Sequence, residues 1–166
     1  MKITRNIVPI SDLYQWLQNK SLVINHDYQR GSGLWPSAAR SYFIDTILNG
    51  FPFPKITIRQ IVDIKKMGLS REVVDGQQRL MTIKDFLDDK LRMSSVSKKF
   101  SGKRFSDLEA EVQEDFLAYE VSVDLITIGT TEEVLETFRR MNSYTLKLNE
   151  PEKRHATYQG RFKWFI

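Results

Sequence analysis

The sequence predicts one domain of mixed α and β structure, since segments with a helical period alternate with short β-branched segments along its 166 residues. Three stretches have the alternation or β-branched content of strands, at 55–64, 71–75 and 119–128. A short turn separates the first two stretches, which predicts a hairpin or close neighbours in one sheet. A chain of 19.5 kDa is long enough to bury a single core, and neither a repeat nor an interdomain linker is visible.

Five segments have the apolar spacing of amphipathic helices: 11–20, 37–49, 77–89, 106–118 and 131–142. Ser11 is the expected cap of the first helix. Tyr42 belongs to the apolar stripe of the second, which we expect to be buried. Ser106 and Glu109 form a capping-box pattern at the start of the fourth, and Thr131 is expected to cap the fifth.

Between the third and fourth helices, the stretch MSSVSKKFSGKR at 93–104 is polar and rich in serine, so we predict an exposed loop. Its basic residues are Lys98, Lys99, Lys103 and Arg104. They are candidates for contact with DNA, although a solvated loop is the simpler explanation of such a charge run.

Composition excludes several classes of protein. The absence of cysteine removes disulfides, thiolate metal sites and cysteine nucleophiles. No apolar run approaches the length of a signal sequence or a membrane span, so we expect a cytoplasmic protein. Its two histidines, His26 and His155, are far apart in sequence, so no histidine metal cluster is predicted. A net charge of +4 and a pI near 9.3 permit a nucleotide or nucleic-acid partner.

The most informative stretch is REVVDGQQRLMTIKDFL at 71–87, which predicts a strand, a tight turn and a helix. Gly76 would allow positive φ or a close approach to a ligand, and the helix behind it would direct unpaired N–H groups and its dipole at an anion such as phosphate. The alternative is that Asp75 and Gly76 merely turn the chain and that Arg79 is a solvated residue. Gln77 and Gln78 favour a ligand, because they offer both donors and acceptors beside the turn.

Other polar residues are spread along the chain near predicted element ends: Tyr28, Gln29, Arg30, Arg139, Asn142, Glu152 and Arg154. The planar fork of an arginine suits phosphate, so several arginines and a helix N-terminus could hold a triphosphate. Ordinary salt bridges on helix faces explain Arg139 and Arg154 equally well. The sequence contains neither a GxxxxGK[ST] loop nor a GxSxG motif, which leaves Walker-type NTPases and α/β hydrolases unsupported.

The order of motifs YQR, DGQQR, FRRMN and LNEPEKR resembles the N-terminal domain family of the GmrSD type IV restriction systems, over nearly the whole chain. This resemblance implies an α+β fold, a small mixed sheet flanked by helices and related to ParB and sulfiredoxin. It implies a domain that binds a nucleoside triphosphate with Mg²⁺, in several members hydrolyses it, and serves defence against phage or modified DNA. The frequent HNH nuclease half of such proteins has no motif in these residues, and the glycine-rich GSGLW segment departs from many relatives.

Carried onto this chain, the resemblance implies that Asp75, Gln78 and Arg79 are catalytic. The residues that it implies for nucleotide binding are Arg30, Gly76, Gln77, Gln78, Arg79, Asn142 and Glu152. An alternative is a non-catalytic, ParB-like module that binds DNA or senses its modification. The stretch 152–166 is predicted to be helical, and its apolar end at Phe162, Trp164, Phe165 and Ile166 suggests a chain cut from a longer protein, with an effector domain or a second copy as partner.

Overall fold

A computed structural model of the protein describes residues 1–24 and 35–143. The strands are β1 (Lys2–Pro9), β2 (Leu22–Ile24), β3 (Ile56–Asp63), β4 (Gly68–Asp75) and β5 (Glu120–Ile128). The α-helices are α1 (Ile10–Gln18), α2 (Ser37–Leu48), α3 (Gln77–Leu87), α4 (Ala110–Ala118) and α5 (Thr131–Ser143). A short 3-10 turn at Phe105–Asp107 precedes α4. The predicted helix at 152–166 lies outside the described residues.

The five strands form one mixed sheet in the order β1-β5-β3-β4-β2. β3 and β4 are antiparallel neighbours, which confirms the predicted hairpin. β3 pairs with β5 in parallel, and β2 pairs with β4 in parallel, whereas β1 lies antiparallel to β5 at one edge. The α+β class with a small mixed sheet flanked by helices is therefore confirmed.

Helices cover both faces of the sheet because neighbouring side chains of a strand point to opposite faces. On one face, Leu125 of β5 joins the main core, to which α1 to α4 contribute their buried apolar side chains. On the other face, Val74 and Ile126 pack against Val134 of α5. The structure thus has a large core on one side of the sheet and a small one under α5 on the other.

Several sequence predictions about element ends were wrong. The sequence did not indicate β1, an edge strand in which most side chains are exposed. α1 begins at Ile10, after Pro9 rather than after a capping Ser11. α4 begins at Ala110, so the proposed capping box of Ser106 and Glu109 does not form. α5 is capped one residue earlier than expected, because Thr130 and Glu133 exchange two hydrogen bonds of 2.8 and 3.2 Å.

The segment at 93–104 follows an irregular path as predicted, but it is anchored rather than loose. Met93, Ser97 and Phe100 are buried, and the Ser97 hydroxyl donates a 2.6 Å hydrogen bond to Asp45 of α2. The basic side chains of this segment are exposed: Lys98, Lys99, Lys103 and Arg104. Among the described residues, no helix is long and apolar enough to cross a membrane.

Candidate functional site

The DGQQR turn joins the end of β4 to the start of α3. β4 ends at Asp75, Gly76 adopts φ +99°, and α3 begins at Gln77. The Gly76 carbonyl accepts the first bond of the helix, from the Leu80 N–H at 3.0 Å, and no side chain among the described residues caps this terminus. The first N–H groups of the helix therefore face the space in front of the turn, as the sequence predicted.

A close contact explains why this position must be glycine. A Cβ atom built on Gly76 would lie 3.0 Å from Cγ1 and 3.3 Å from Cγ2 of Ile56, whose side chain is fully buried at the start of β3. Because of the positive φ and the close approach of β3, any residue other than glycine would be strained at this position.

A β-bulge immediately precedes the turn. Thr57 and Ile58 of β3 pair with Asp75 and Val73, so Val74 has no opposite residue in the register. Val74 packs in the small core under α5. The packing of the extra residue, Val74, against α5 therefore helps to set the position of its neighbour Asp75.

Arg79 anchors the turn to the segment that leads into β3. Its Nη2 donates to Asp75 Oδ2 at 3.0 Å, while Nη1 donates to the carbonyl of Lys55 at 3.1 Å and also to that of Pro54. Desolvation lowers the pKa of Arg79, and the Asp75 carboxylate acts in the opposite direction. The guanidinium is therefore a largely enclosed cation beside the helix N-terminus, not the solvated side chain of the simpler alternative.

The two glutamines take different positions. Gln77 is buried, and its Nε2 lies 3.5 Å from the Val73 carbonyl that it donates to. Gln78 is half-buried, and its Oε1 accepts a 3.2 Å hydrogen bond from the backbone N–H of Trp35. The Gln78 side chain thus ties the start of α2 to the turn, and its amide N–H₂ group faces away from that bond.

Sequence reasoning missed a polar pair between the residue before β3 and the neighbouring strand β5. Lys55 Nζ lies 2.6 Å from Asp124 Oδ2, and Asp124 of β5 is almost buried. Both Asp124 and Asp75 pair with Thr57, so the two carboxylates flank one residue of β3. The available signal was an aspartate in the middle of the β-branched stretch 119–128, where a charged residue is costly unless it is paired.

The end of α5 lies beside Thr57, the residue that Asp75 and Asp124 flank. The Thr57 hydroxyl contacts the sulfur of Met141 at 3.8 Å, and Asn142 is the next residue of the helix. Arg139 is exposed and pairs with Glu136 at 3.6 Å, in agreement with the salt-bridge alternative. The four basic residues at 98–104 belong to the segment anchored on α2 rather than to the turn.

Arg30 and Glu152, which the resemblance implies for nucleotide binding, lie outside the described residues, as do the other polar candidates Tyr28, Gln29 and Arg154. The nearest described residues before and after the YQR motif are Ile24 and Trp35. Ile24 ends β2 as the parallel partner of Val73, and the Trp35 N–H is bonded to Gln78. Ile24 and Trp35 therefore both lie next to the DGQQR turn.

Together these features describe an α+β domain in which the DGQQR turn joins the carboxyl end of an interior strand to the N-terminus of α3. The chain matches the family described as GmrSD restriction endonuclease, N-terminal domain, over residues 10–159. It belongs to that family, which comprises N-terminal domains of GmrSD-type restriction proteins. No curated protein matches the chain.

Proposed function

We propose that the DGQQR turn binds a nucleoside triphosphate with Mg²⁺ and hydrolyses it, as part of a prokaryotic defence against phage or modified DNA. The N-terminus of α3 behind Gly76, which no side chain among the described residues caps, is the observation that carries this proposal. N–H groups and the positive end of the helix dipole at that terminus favour a phosphate group. Membership of the restriction family supports the defence context.

In this proposal the phosphates contact the backbone N–H groups of Gln78 and Arg79 together with the Gln78 amide. Arg79 adds positive charge in a partly desolvated place, where electrostatic contacts are stronger than in water. Arg30, Asn142 and Glu152 complete the binding set implied by the family motifs.

The residues at the turn fit a magnesium–phosphate complex. Mg²⁺ is bound in such sites by one or two carboxylates, with phosphate oxygens and water as the remaining ligands. Asp75 uses Oδ2 to pair with Arg79, and its side chain is 31% exposed, so its carboxylate can reach a cation in front of the helix. Bound there, Mg²⁺ would neutralise developing charge on the phosphates.

For hydrolysis, the chain must orient a water molecule and stabilise charge on the transferred phosphoryl group. Gln78 can position water through its amide, Asp75 can accept a hydrogen bond from it, and Arg79 can stabilise the charge. These are the roles that we propose for the three catalytic residues.

A charge change at Gln78 tests the binding proposal. Gln78→Glu keeps an oxygen for the Trp35 N–H and suits the helix dipole, so the fold is retained. It removes an amide donor and places a negative charge beside the phosphates, so affinity for ATP, GTP, CTP or UTP with Mg²⁺ should fall about 10- to 150-fold. Isothermal titration calorimetry measures the affinity.

Gln15→Glu is the matched control, because it makes the same change in charge at an exposed position of α1 and should leave affinity unchanged. The proposal is wrong if the wild-type protein binds none of the four triphosphates, or if the Gln78 variant binds them as well as the wild type does.

A second candidate function is DNA binding through the exposed side chains of Lys98, Lys99, Lys103 and Arg104. The anchoring of their segment favours it, because buried Ser97 and Phe100 hold the four charges on an ordered surface. If they contact phosphates, duplex affinity should fall steeply with salt, and replacing the four by glutamine should reduce the slope of log K against log[salt] by up to about 4. A slope that the replacement leaves unchanged would argue against this surface.

A further inference from the structure

An aromatic cavity of about 620 Å³ lies between α2 and the FPFP segment that leads into β3. Its walls include the rings of Trp35, Tyr42, Phe43, Phe51 and Phe53. Trp35 and Phe53 each meet Phe43 edge to face, with ring centroids 5.6 and 5.0 Å apart, so the back of the cavity is a packed aromatic cluster.

The front of the cavity is formed by exposed rings. Tyr42 is 65% exposed and Phe51 is 62% exposed, and within the described part of the chain they are the only exposed aromatic side chains. The sequence predicted that Tyr42 would be buried with the rest of the α2 stripe. Its exposure together with that of Phe51 leaves two aromatic faces available to a ligand.

Two hydrogen bonds connect this cavity to the DGQQR turn. Trp35, a wall residue, donates its backbone N–H to the Gln78 side chain at 3.2 Å. Pro54, another wall residue, accepts a hydrogen bond from Arg79. The cavity and the turn are therefore adjacent, and the residues that join them are those proposed to contact phosphate.

We propose that the cavity is the subsite for the nucleobase of the triphosphate, which stacks on Tyr42 and Phe51 while its phosphates lie at the turn. This inference rests on the proposed function, since it needs a nucleotide at that turn. Every base has a π-face, and stacking on aromatic side chains is the usual way in which proteins hold a base without reading its edge. Two backbone acceptors on this rim are already engaged, because Tyr119 donates to the Phe51 carbonyl and Thr46 donates to that of Tyr42.

The test compares each nucleoside triphosphate with inorganic tripolyphosphate, which has the phosphates but no base. Tyr42→Ala and Phe51→Ala should each weaken binding of the triphosphate that binds most tightly by about 5- to 150-fold, and leave tripolyphosphate affinity unchanged. Ile64→Ala is the control, because it truncates an exposed apolar side chain on the β3–β4 hairpin. Calorimetry with Mg²⁺ measures all affinities, and thermal unfolding should be unchanged because the replaced rings are exposed.

Trp35 gives a second measurement. A base in the cavity should quench its fluorescence, tripolyphosphate should not, and Trp35→Phe should remove the quench while keeping the backbone bond to Gln78. The proposal is overturned if the alanine variants weaken both ligands equally or neither of them, or if an oligonucleotide quenches Trp35 and a triphosphate does not. If neither a triphosphate nor tripolyphosphate binds the wild type, both the proposed function and this inference are wrong. If the two bind the wild type with equal affinity, only this inference fails.

Discussion

Replacement of Gly76 by alanine tests the geometry of the turn directly. The left-handed backbone costs a residue with a Cβ atom about 1 to 2 kcal/mol. The new methyl group would lie 3.0 Å from Cγ1 of Ile56, which is fully buried in the core, so overpacking adds about 1 to 3 kcal/mol. Reduced freedom of the unfolded chain returns about 0.4 to 1 kcal/mol. We therefore expect a net loss of about 1 to 4.5 kcal/mol in the free energy of unfolding.

The matched controls are Gly50→Ala and Gly102→Ala. These glycines also have positive φ, +73° and +77°, but a Cβ atom on either would meet nothing within 4 Å. Each should cost about 0 to 1.5 kcal/mol, which is the backbone contribution alone. Urea unfolding monitored by circular dichroism gives all three free energies. If Gly76→Ala costs no more than the controls, the contact with Ile56 does not constrain the turn and the reasoning is wrong.

Three further predictions concern contacts around the site and the core. Arg79→Lys should lower the free energy of unfolding by about 1 to 3 kcal/mol, because an ammonium group cannot span two carbonyls and a carboxylate as the guanidinium fork does; an unchanged urea midpoint would contradict this. Ser97→Ala should cost about 1 to 3 kcal/mol and speed tryptic cleavage at 98–104, since it removes the partner of Asp45 in a buried place; cleavage at the wild-type rate would show that the segment is not anchored there. Burial acts to raise the pKa of Asp88, but hydrogen bonds from Lys84 and Tyr14 outweigh it and hold the pKa below its usual value. The ionised Asp88 therefore contributes stability above the unfolded pKa, and this contribution is lost as pH falls through the folded pKa. Asp88→Asn should therefore flatten the acid part of the stability–pH curve, and an equally steep curve would refute the assignment.

Local patterns were sufficient for much of the fold and for the central part of the site. The five described helices follow from apolar spacing, because each buries one stripe against the sheet. Gly76 followed from the strand, turn and helix pattern around it. These features depend on neighbours within a few residues, which is the range over which periodicity and turn chemistry act.

Features that depend on distant partners could not be predicted. β1 is held by backbone pairing with β5, which is more than 110 positions away in sequence. Most of its own side chains are exposed, so no alternating pattern of apolar residues predicts the strand. The pair of Lys55 and Asp124 is equally non-local. The predicted caps of α1 and α4 were wrong because a serine caps a helix only when the preceding backbone places it at the first turn. Tertiary contacts set the course of that backbone.

Arg79 connects the proposed phosphate site to the aromatic cavity, because of how its donors are distributed. A guanidinium has five N–H donors, and three hydrogen bonds join this one to Asp75, Lys55 and Pro54. The remaining donors can meet a phosphate without breaking those bonds, so holding the turn and contacting an anion are compatible. Since Pro54 is also a wall of the cavity, a phosphate that draws Arg79 toward the helix terminus would move that wall with it. Triphosphate binding and the fit of the base should therefore be coupled through this one side chain, and Arg79→Lys should weaken nucleoside triphosphates more than it weakens tripolyphosphate.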